Sequence, residues 1–380
     1  MKINYFILLI SFFVIDSQVI YSQSSTGDLP ILDFSKNYPK KEIRLQDIAD
    51  TKYIPLETTD DVLLSENAVL SAVSDKYIII YEPIRGDIFI FNHTGKTLAH
   101  FNHKGNSGQE YAWIRGLVFD DKKKEIFVYN QSIQVYSLIG EYKRTLKINT
   151  LQNESTVYNF DDEALLIYDN VIIDTGLEHK TKKEPYRLIS KKDGSLISVL
   201  DIHLSKRYSS RILKKEGKNE RGIIMSYPSS IYYGQDFMLA DISSDTLCML
   251  TQDKKITPIL TRKPSVHTSE PRNIWATFLT TDKFILLGTI LLDFNLKSGK
   301  IPYYIYDFKT GEINKVTFID AESFRGKWGP NSSPAIGKNK FAELIQPSLI
   351  KKANEKSDPL KALRALKEDD NPVVRIIKFK

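Results

Sequence analysis

The residues best suited to chemistry lie in one short loop, 104–115, which combines a carboxylate, aromatic rings and cations. The Glu110 carboxylate, the Trp113 ring and the Arg115 guanidinium offer a hydrogen-bond acceptor, a stacking surface and an anion-binding fork, and Tyr111 adds a second ring. A sugar suits this set, because its apolar face stacks on aromatic rings while its hydroxyls bond to the carboxylate. These four residues are therefore candidate ligand-binding residues. The alternative is that Glu110 and Tyr111 bond backbone groups and stabilise a crossing between structural repeats.

The sequence contains no recognisable catalytic or cofactor-binding motif. None of the six His residues forms a His-x-His or His-Glu-x-x-His pattern, and there is neither a Gly-x-Ser-x-Gly motif nor a phosphate-binding glycine-rich loop. The single Cys, Cys248, excludes a disulfide framework, and its apolar neighbours indicate a buried structural thiol. We predict no cofactor and no resident metal. A metal held in a central channel by carboxylates from several repeats stays an alternative, because sequence spacing does not reveal such a site.

Composition places the chain among ordinary globular proteins. Of its 380 residues, 26% are charged and 42% hydrophobic, and 53 Lys and Arg against 47 Asp and Glu give a net charge of +6. These values argue against a disordered chain. The charge is too dilute for nucleic-acid binding, so no nucleic-acid partner is predicted. Aromatic residues reach 11%, which favours strands.

The N-terminus has the pattern of a secretory signal peptide over residues 1–22. Lys2 precedes the apolar stretch 5–15, and Ser22 offers a small residue before a cleavage point. The stretch is short for a membrane span and Asp16 interrupts it, although an uncleaved anchor is the alternative. No Cys follows the cleavage point closely enough to accept a lipid. We therefore predict a periplasmic or secreted protein with no transmembrane span in the mature chain.

A β-hairpin with a short turn recurs along the chain, and another strand precedes each copy. The five hairpins lie at 87–101, 134–148, 186–200, 247–254 and 303–318. The strands that precede them lie at 75–81, 125–129, 163–168, 236–240 and 282–287, and a sixth such strand, 338–344, begins the last repeat. The turns end in Gly in all copies but the fourth, which suits a backbone position with positive φ. The repeat of about 53 residues fits a four-stranded propeller blade.

The last repeat needs a strand from the N-terminus. Its closing strand, 373–379, has no partner downstream, so an upstream strand, 42–45 or 53–56, is expected to complete it. A helix beginning at Asp358 is predicted as an insertion in this repeat. The fold class is therefore all-β, a single six-bladed propeller over residues 41–380 closed by N- and C-terminal strands, after a flexible lead at 23–40. Five or seven blades are the alternatives.

Several stretches resemble a family of exported six-bladed β-propeller proteins of uncharacterised function, common in Gram-negative gut anaerobes. The resemblance rests on the segments 54–59, 75–78, 91–96, 105–111, 244–247 and 368–380. The family's loop Gly-x-Gly-Pro-Gly-Glu-Tyr is matched here at Gly105, Glu110 and Tyr111, whereas Gly-Pro-Gly is replaced by 107–109. The resemblance implies the propeller fold and no known chemistry. Many relatives are lipoproteins, and the missing lipid-acceptor Cys departs from that pattern.

Two functional hypotheses follow from these patterns. The first is an exported binding or scaffold protein that engages a glycan, a peptide or an envelope protein at one mouth of the propeller. The second is a propeller enzyme of the hydrolase, lactonase or lyase type, with carboxylates in the central channel, either with or without a metal. Export, repeat architecture and the absence of a catalytic motif favour the first hypothesis.

Overall fold

A computed structural model of the protein describes residues 29–148, 155–171, 183–204, 206–209, 211–216, 219–224, 230–233, 235–291, 301–323, 326–330, 335–337, 339–351 and 362–380. These residues form an all-β propeller of six blades, as the repeats predict. The predicted signal segment, 1–22, and the first part of the predicted lead, 23–28, lie outside the described residues.

The chain enters through three strands and then builds three blades in order. The entering strands are β1 (Ile31–Asp33), β2 (Lys40–Arg44) and β3 (Ala49–Pro55), with the helical turn α1 (Leu45–Ile48) before β3. Blade 1 contains β4 (Val69–Val73), β5 (Ile78–Tyr81), β6 (Asp87–Phe91) and β7 (Thr97–Asn102). Blade 2 contains β8 (Gly116–Asp120), β9 (Glu125–Tyr129), β10 (Ile133–Ser137) and β11 (Tyr142–Leu146). Blade 3 contains β12 (Ser155–Asn159), β13 (Ala164–Asp169), β14 (Tyr186–Ser190) and β15 (Leu196–Val199).

A hairpin of β16 (Arg211–Glu216) and β17 (Asn219–Ile224) separates these blades from the remaining three. Blade 4 contains β18 (Ser230–Tyr233), β19 (Asp236–Leu239), β20 (Thr246–Leu250) and β21 (Ile256–Lys263). Blade 5 contains β22 (Asn273–Thr280), β23 (Phe284–Leu291), β24 (Tyr303–Asp307) and β25 (Ile313–Ile319), and the short β26 (Lys327–Trp328) pairs with β25. Blade 6 contains β27 (Ala335–Gly337), β28 (Lys340–Ile345), β29 (Val373–Phe379) and β3.

The central strands of the blades are buried on both faces, because neighbouring blades pack against them from either side. Every residue of β5, β6 and β9 is buried. Such strands give continuous apolar runs in the sequence, where a sheet with one wet face would alternate. An apolar cluster lies at each of the six contacts between adjacent blades within the described residues. The ring is therefore held together by the same burial that selects the strand sequences.

The chain ends close the ring in blade 6. Strand β3 pairs antiparallel with β29, from Ala49 opposite Phe379 to Pro55 opposite Val373. The second of the two upstream segments expected to close the blade, 53–56, thus provides part of the closing strand. The other, 42–45, overlaps β2, which joins blade 5.

The N-terminal strands form a strap across the outside of three successive blades. Strand β1 adds to blade 4 in parallel with β21, and β2 adds to blade 5 in parallel with β25. Leu32 of β1 is buried with Trp275 between blades 4 and 5, and Ile43 of β2 packs between blades 5 and 6. Within the described part of the segment predicted as a flexible lead, β1 is therefore a paired strand. Its three residues carry no local strand signal, and the pairing with β21 defines it.

The turn glycines have the conformation that the repeats predict. Gly95, at the turn between the last two strands of blade 1, has φ of +82°, and a Cβ there would lie 1.8 Å from the Pro55 carbonyl oxygen. In the fourth repeat, Lys254 takes the left-handed region with φ of +66° where the other copies have Gly. The turn geometry is thus kept where the glycine is lost.

The insertion between β28 and β29 begins earlier than the sequence suggests. A short helix, α2 (Pro347–Lys351), follows β28, and a 3₁₀ turn spans Ala362–Ala365. The helix predicted from Asp358 begins outside the described residues, so it stays a prediction.

We expect the strap to contribute to global stability through the residue that it buries. Leu32→Ala should lower the free energy of unfolding by about 2–5 kcal/mol, because Leu32 is 0% exposed between two blades. The neighbouring Ile31→Ala, at a side chain 50% exposed, should change it by less than about 0.5 kcal/mol. Urea unfolding of both variants measures the difference. Equally small effects would mean that the strap is not part of the cooperative unit.

Candidate functional site

The candidate loop lies at the end of the propeller where each innermost strand begins. Strand β8 is the innermost strand of blade 2, since it contacts β4 and β12 of the adjacent blades. Antiparallel pairing makes the innermost strand of every blade begin at the same end, which we call the upper face. Arg115 immediately precedes β8, so it lies on the upper face beside the axis.

Trp113 is held at this mouth by its backbone while its ring faces solvent. The Asn130 side-chain amide donates to the Trp113 carbonyl over 3.1 Å, and the next residue, Ile114, is fully buried and donates its N–H to the Pro83 carbonyl over 2.9 Å. The indole is nevertheless 40% exposed. The Arg115 guanidinium carbon lies 5.3 Å from the ring centroid, in cation–π contact. The pair is thus a fixed aromatic surface with a cation against it.

The Arg115 guanidinium keeps unused donors. Its Nε and Nη1 atoms are buried, and no protein group of the described residues accepts a hydrogen bond from them. The backbone of Arg115 is well bound, since its N–H donates to the Tyr129 carbonyl over 3.0 Å and its carbonyl accepts from the Tyr81 hydroxyl over 3.3 Å. A buried donor without an acceptor costs free energy that an anionic group can return.

Glu110 stabilises the turn that contains it. Its carboxylate accepts the Ser107 N–H over 2.9 Å. This hydrogen bond, with further bonds from Ser107 and Asn106, lowers the pKa of the Glu110 carboxyl below its usual value. A Cβ on Gly105 would lie 2.0 Å from a Glu110 carboxylate oxygen, so glycine is required for this close approach. Glu110 therefore matches the backbone-bonding alternative.

Tyr111 is buried beneath the same turn. Its hydroxyl donates to the Gly86 carbonyl over 2.7 Å and accepts the His103 N–H over 2.9 Å, and its side chain is 1% exposed. Burial raises the pKa of the Tyr111 phenol. The structure thus brings Trp113 and Arg115 together at the mouth and places Glu110 and Tyr111 in the framework of the loop.

A second cation occupies the equivalent position on the opposite side of the ring. Arg272 immediately precedes β22, the innermost strand of blade 5, as Arg115 precedes β8 of blade 2. Its guanidinium carbon lies 3.8 Å from the ring centroid of Tyr208, and its Nε donates to the Val266 carbonyl over 3.2 Å. In a ring of six blades, blades 2 and 5 face each other. The upper mouth is thus flanked by two arginine–aromatic pairs.

Buried ion pairs between blades are the functional groups that the sequence analysis missed. Each joins a cation and a carboxylate from adjacent blades or their connecting loops: Lys191 with Asp120 over 2.5 Å, Arg207 with Asp241 over 2.7 Å, and Arg375 with Asp320 over 2.7 Å. The partners are distant in sequence, so no spacing motif marks them. The three carboxylates share one signal, because each lies at the end of an apolar strand or within two residues after it.

Two other kinds of group could carry chemistry, namely the Cys248 thiol and a cluster of metal-binding side chains. Burial raises the pKa of the Cys248 thiol to about 11, which keeps the sulfur protonated at neutral pH. No group of three His, Cys, Asp or Glu residues among those described is placed to hold a metal ion.

Comparisons with known proteins agree with the fold. A family model described as a domain of unknown function, DUF4934, matches residues 29–378. A protein from Bacteroides fragilis NCTC 9343 that is described as exported is similar in structure, with a TM-score of 0.60 and 13% sequence identity over 90% of this chain and 99% of that chain. A member of the duf4221 family from Bacteroides vulgatus gives a TM-score of 0.48 and 12% identity over 88% of this chain and 97% of that chain.

The family match confirms the expected relationship to a family of unknown function, and at 13% identity the Bacteroides fragilis structure shows the propeller fold alone. Curated proteins give no match. Among the helices of the described ranges, none is long and apolar enough to cross a membrane.

The role of Glu110 predicts a characteristic pH dependence of stability. Because the pKa of its carboxyl is lowered in the folded state, its contribution is complete above the pKa of the unfolded chain, about 4.3, and is lost as the pH falls through the folded value. Glu110→Gln should therefore lower Tm at pH 7, and the difference from the wild type should shrink below about pH 4. Thermal unfolding across this range measures it, with Glu141→Gln as the exposed control. A Tm difference that is independent of pH would contradict the assignment.

Arg115 should behave in the opposite way to a structural arginine. Arg115→Met removes buried donors that have no acceptor, so we expect the free energy of unfolding to rise by about 1 kcal/mol. Arg207→Met, which leaves the Asp241 carboxylate buried without its partner, should lower it by about 3–5 kcal/mol. Urea unfolding distinguishes the two. A comparable loss in Arg115→Met would assign that residue to the framework.

Proposed function

Since the chain belongs to the DUF4934 family, whose function is unknown, we propose a function from its own geometry: it is an exported binding protein that holds a carboxylate-bearing glycan at the upper mouth. The observation that carries the proposal is the exposed Trp113 ring with the Arg115 guanidinium against it and two of that group's donors unused. The exported location is supported by the signal pattern of residues 1–22 and by the description of the Bacteroides fragilis relative.

The two side chains divide the recognition of such a ligand. The Trp113 ring stacks against the apolar face of a sugar, which needs no particular hydroxyl pattern. The Arg115 guanidinium binds a carboxylate on that sugar or on its neighbour after a side-chain shift that brings its buried Nε and Nη1 atoms to the surface, and a charge-assisted hydrogen bond in a partly buried position is stronger than a neutral one. Arg272 on the opposite side of the mouth adds a second cation, so the potential there favours an acidic chain over a neutral one.

The test is a titration with a matched pair of sugars, an oligogalacturonate and a neutral galactose oligomer of the same length. We expect only the acidic oligomer to bind, with an affinity that falls as salt rises. Tryptophan fluorescence reports it directly, because Trp113 is exposed whereas Trp275 and Trp328 are buried.

Variants locate the site in the same experiment. Arg115→Gln and Trp113→Ala should each weaken binding at least about tenfold, the latter followed by calorimetry because it removes the fluorophore. Leu196→Ala, at an exposed side chain in the outermost strand of blade 3, is the control and should bind like the wild type. Equal binding of the two oligomers, binding unaffected by Arg115→Gln, or binding of acidic peptides without the glycan would overturn the proposal.

A further inference from the structure

The outer edge of blade 3 is exposed and apolar. Strand β15 ends the sheet of this blade within the described residues, and its Leu196, Ile197 and Val199 side chains are 60%, 41% and 50% exposed. The strand carries no charge. Edge strands of soluble proteins usually carry charges or are covered, because their free N–H and C=O groups otherwise recruit another strand.

The outer strands of blades 1, 2, 4 and 5 are less apolar or are covered by a further strand. Among the described residues, the edge strand of blade 2, β11, carries Lys143 and Arg144, and that of blade 1, β7, has a single large exposed apolar side chain, Leu98. The edges of blades 4 and 5 are covered by β1 and β2. Among the outer strands that no further strand covers, β15 of blade 3 is therefore the most apolar.

The strap shows how this fold accepts a further strand. Both β1 and β2 lie parallel to the outermost strand of the blade and place an apolar side chain, Leu32 or Ile43, against the next blade. An added strand thus gains backbone hydrogen bonds and buries a side chain in the groove between two blades. Both contributions are those of β-strand addition to a sheet edge.

The corresponding groove between blades 3 and 4 is open. A cavity of about 490 Å³ lies between the two blades and is lined by Ser198, Val199, Leu200, Asp201, Lys254 and Ile256. Lys254 belongs to the turn between the last two strands of blade 4, and Asp201 lies two residues after the end of β15. The cavity thus combines apolar side chains with one cation and one anion, beside the second half of β15 and the residues that follow it.

We propose that β15 binds an extended segment of a partner protein as a fifth, parallel strand of blade 3. The segment has an apolar central residue that packs in the groove, as Leu32 of β1 and Ile43 of β2 pack against the blade next to theirs. The interface continues the row formed by β1 on blade 4. The residues just upstream in this chain, 23–28, read Gln-Ser-Ser-Thr-Gly-Asp and offer no apolar side chain. A second copy paired by a two-fold axis would run antiparallel, unlike β1 and β2.

The probe is a labelled peptide, ETVLVTK, which has an apolar centre, added to the chain that begins at Gln23. Its control is ETVDVTK, in which an acidic residue replaces the central Leu. We expect fluorescence anisotropy to show binding of the first peptide and at least about tenfold weaker binding of the control. Hydrogen exchange should show new protection at β15 only.

A backbone variant separates strand addition from a general apolar contact. The Leu200 N–H donates inwards to the Tyr186 carbonyl, so by alternation the Val199 N–H points out from the edge. Val199→Pro removes that donor without removing a bond to β14, and it should weaken peptide binding at least about tenfold, whereas Val199→Ala should bind within about threefold of the wild type. Ile197→Asp, which leaves the backbone unchanged, should also abolish binding and serves if the proline variant does not fold.

The remaining outcomes overturn the proposal. Unchanged binding to Val199→Pro and Ile197→Asp would place the peptide elsewhere. Protection of β15 from hydrogen exchange in the free chain would mean that the edge is already covered. If deletion of residues 23–28 removes the protection, those residues cover the edge. If the protection depends on protein concentration, a second copy of the chain covers it. Trp113→Ala should leave peptide binding unchanged, so the result is independent of the function proposed for the upper mouth.

Discussion

Burial of blade faces is the constraint on which the structure depends. A four-stranded blade with apolar central strands has two faces to cover, so it is stable only between two other blades. Apolar clusters at the six contacts of the described ring meet this requirement in turn. No blade has an alternative neighbour, and the last blade is complete only when β3 joins β29. The pairing of the chain ends is therefore required by every other contact in the ring.

Within this apolar framework, the buried charges have two distinct roles. Arg207 and Arg375 each meet a carboxylate, and those pairs connect adjacent blades. Their formation costs desolvation, and in return the directional hydrogen bonds fix how one blade is placed against the next. Arg115 and Arg375 each keep two buried donors that no described protein group accepts, but Arg375 has a carboxylate partner and Arg115 has none among the described residues. The same side-chain type thus joins blades in two places, and in a third it is the proposed anion-binding group.

Features that depend on local sequence could be predicted, and features that depend on tertiary contacts could not. The repeating hairpins follow from turn residues such as Gly95 and from apolar runs, so the six-bladed fold was accessible. Strand β1 was not, because only pairing with β21 makes it a strand. Composition drew attention to the loop 104–115, whose ligand-binding role stays a prediction. Which of its side chains reach solvent depends on the path of the backbone, which buries Tyr111 and exposes Trp113.

The strap also imposes an order of events on folding. The first strands that the structure describes, β1 to β3, find their partners only on blades 4, 5 and 6, which follow blades 1 to 3 along the chain. The partner of β3 is β29, more than 300 residues away in sequence. Until β29 is in place the ring has no means of closing, and its apolar blade faces stay open to proteases and chaperones. Closure therefore follows the formation of the blades, because contacts so distant in sequence form late.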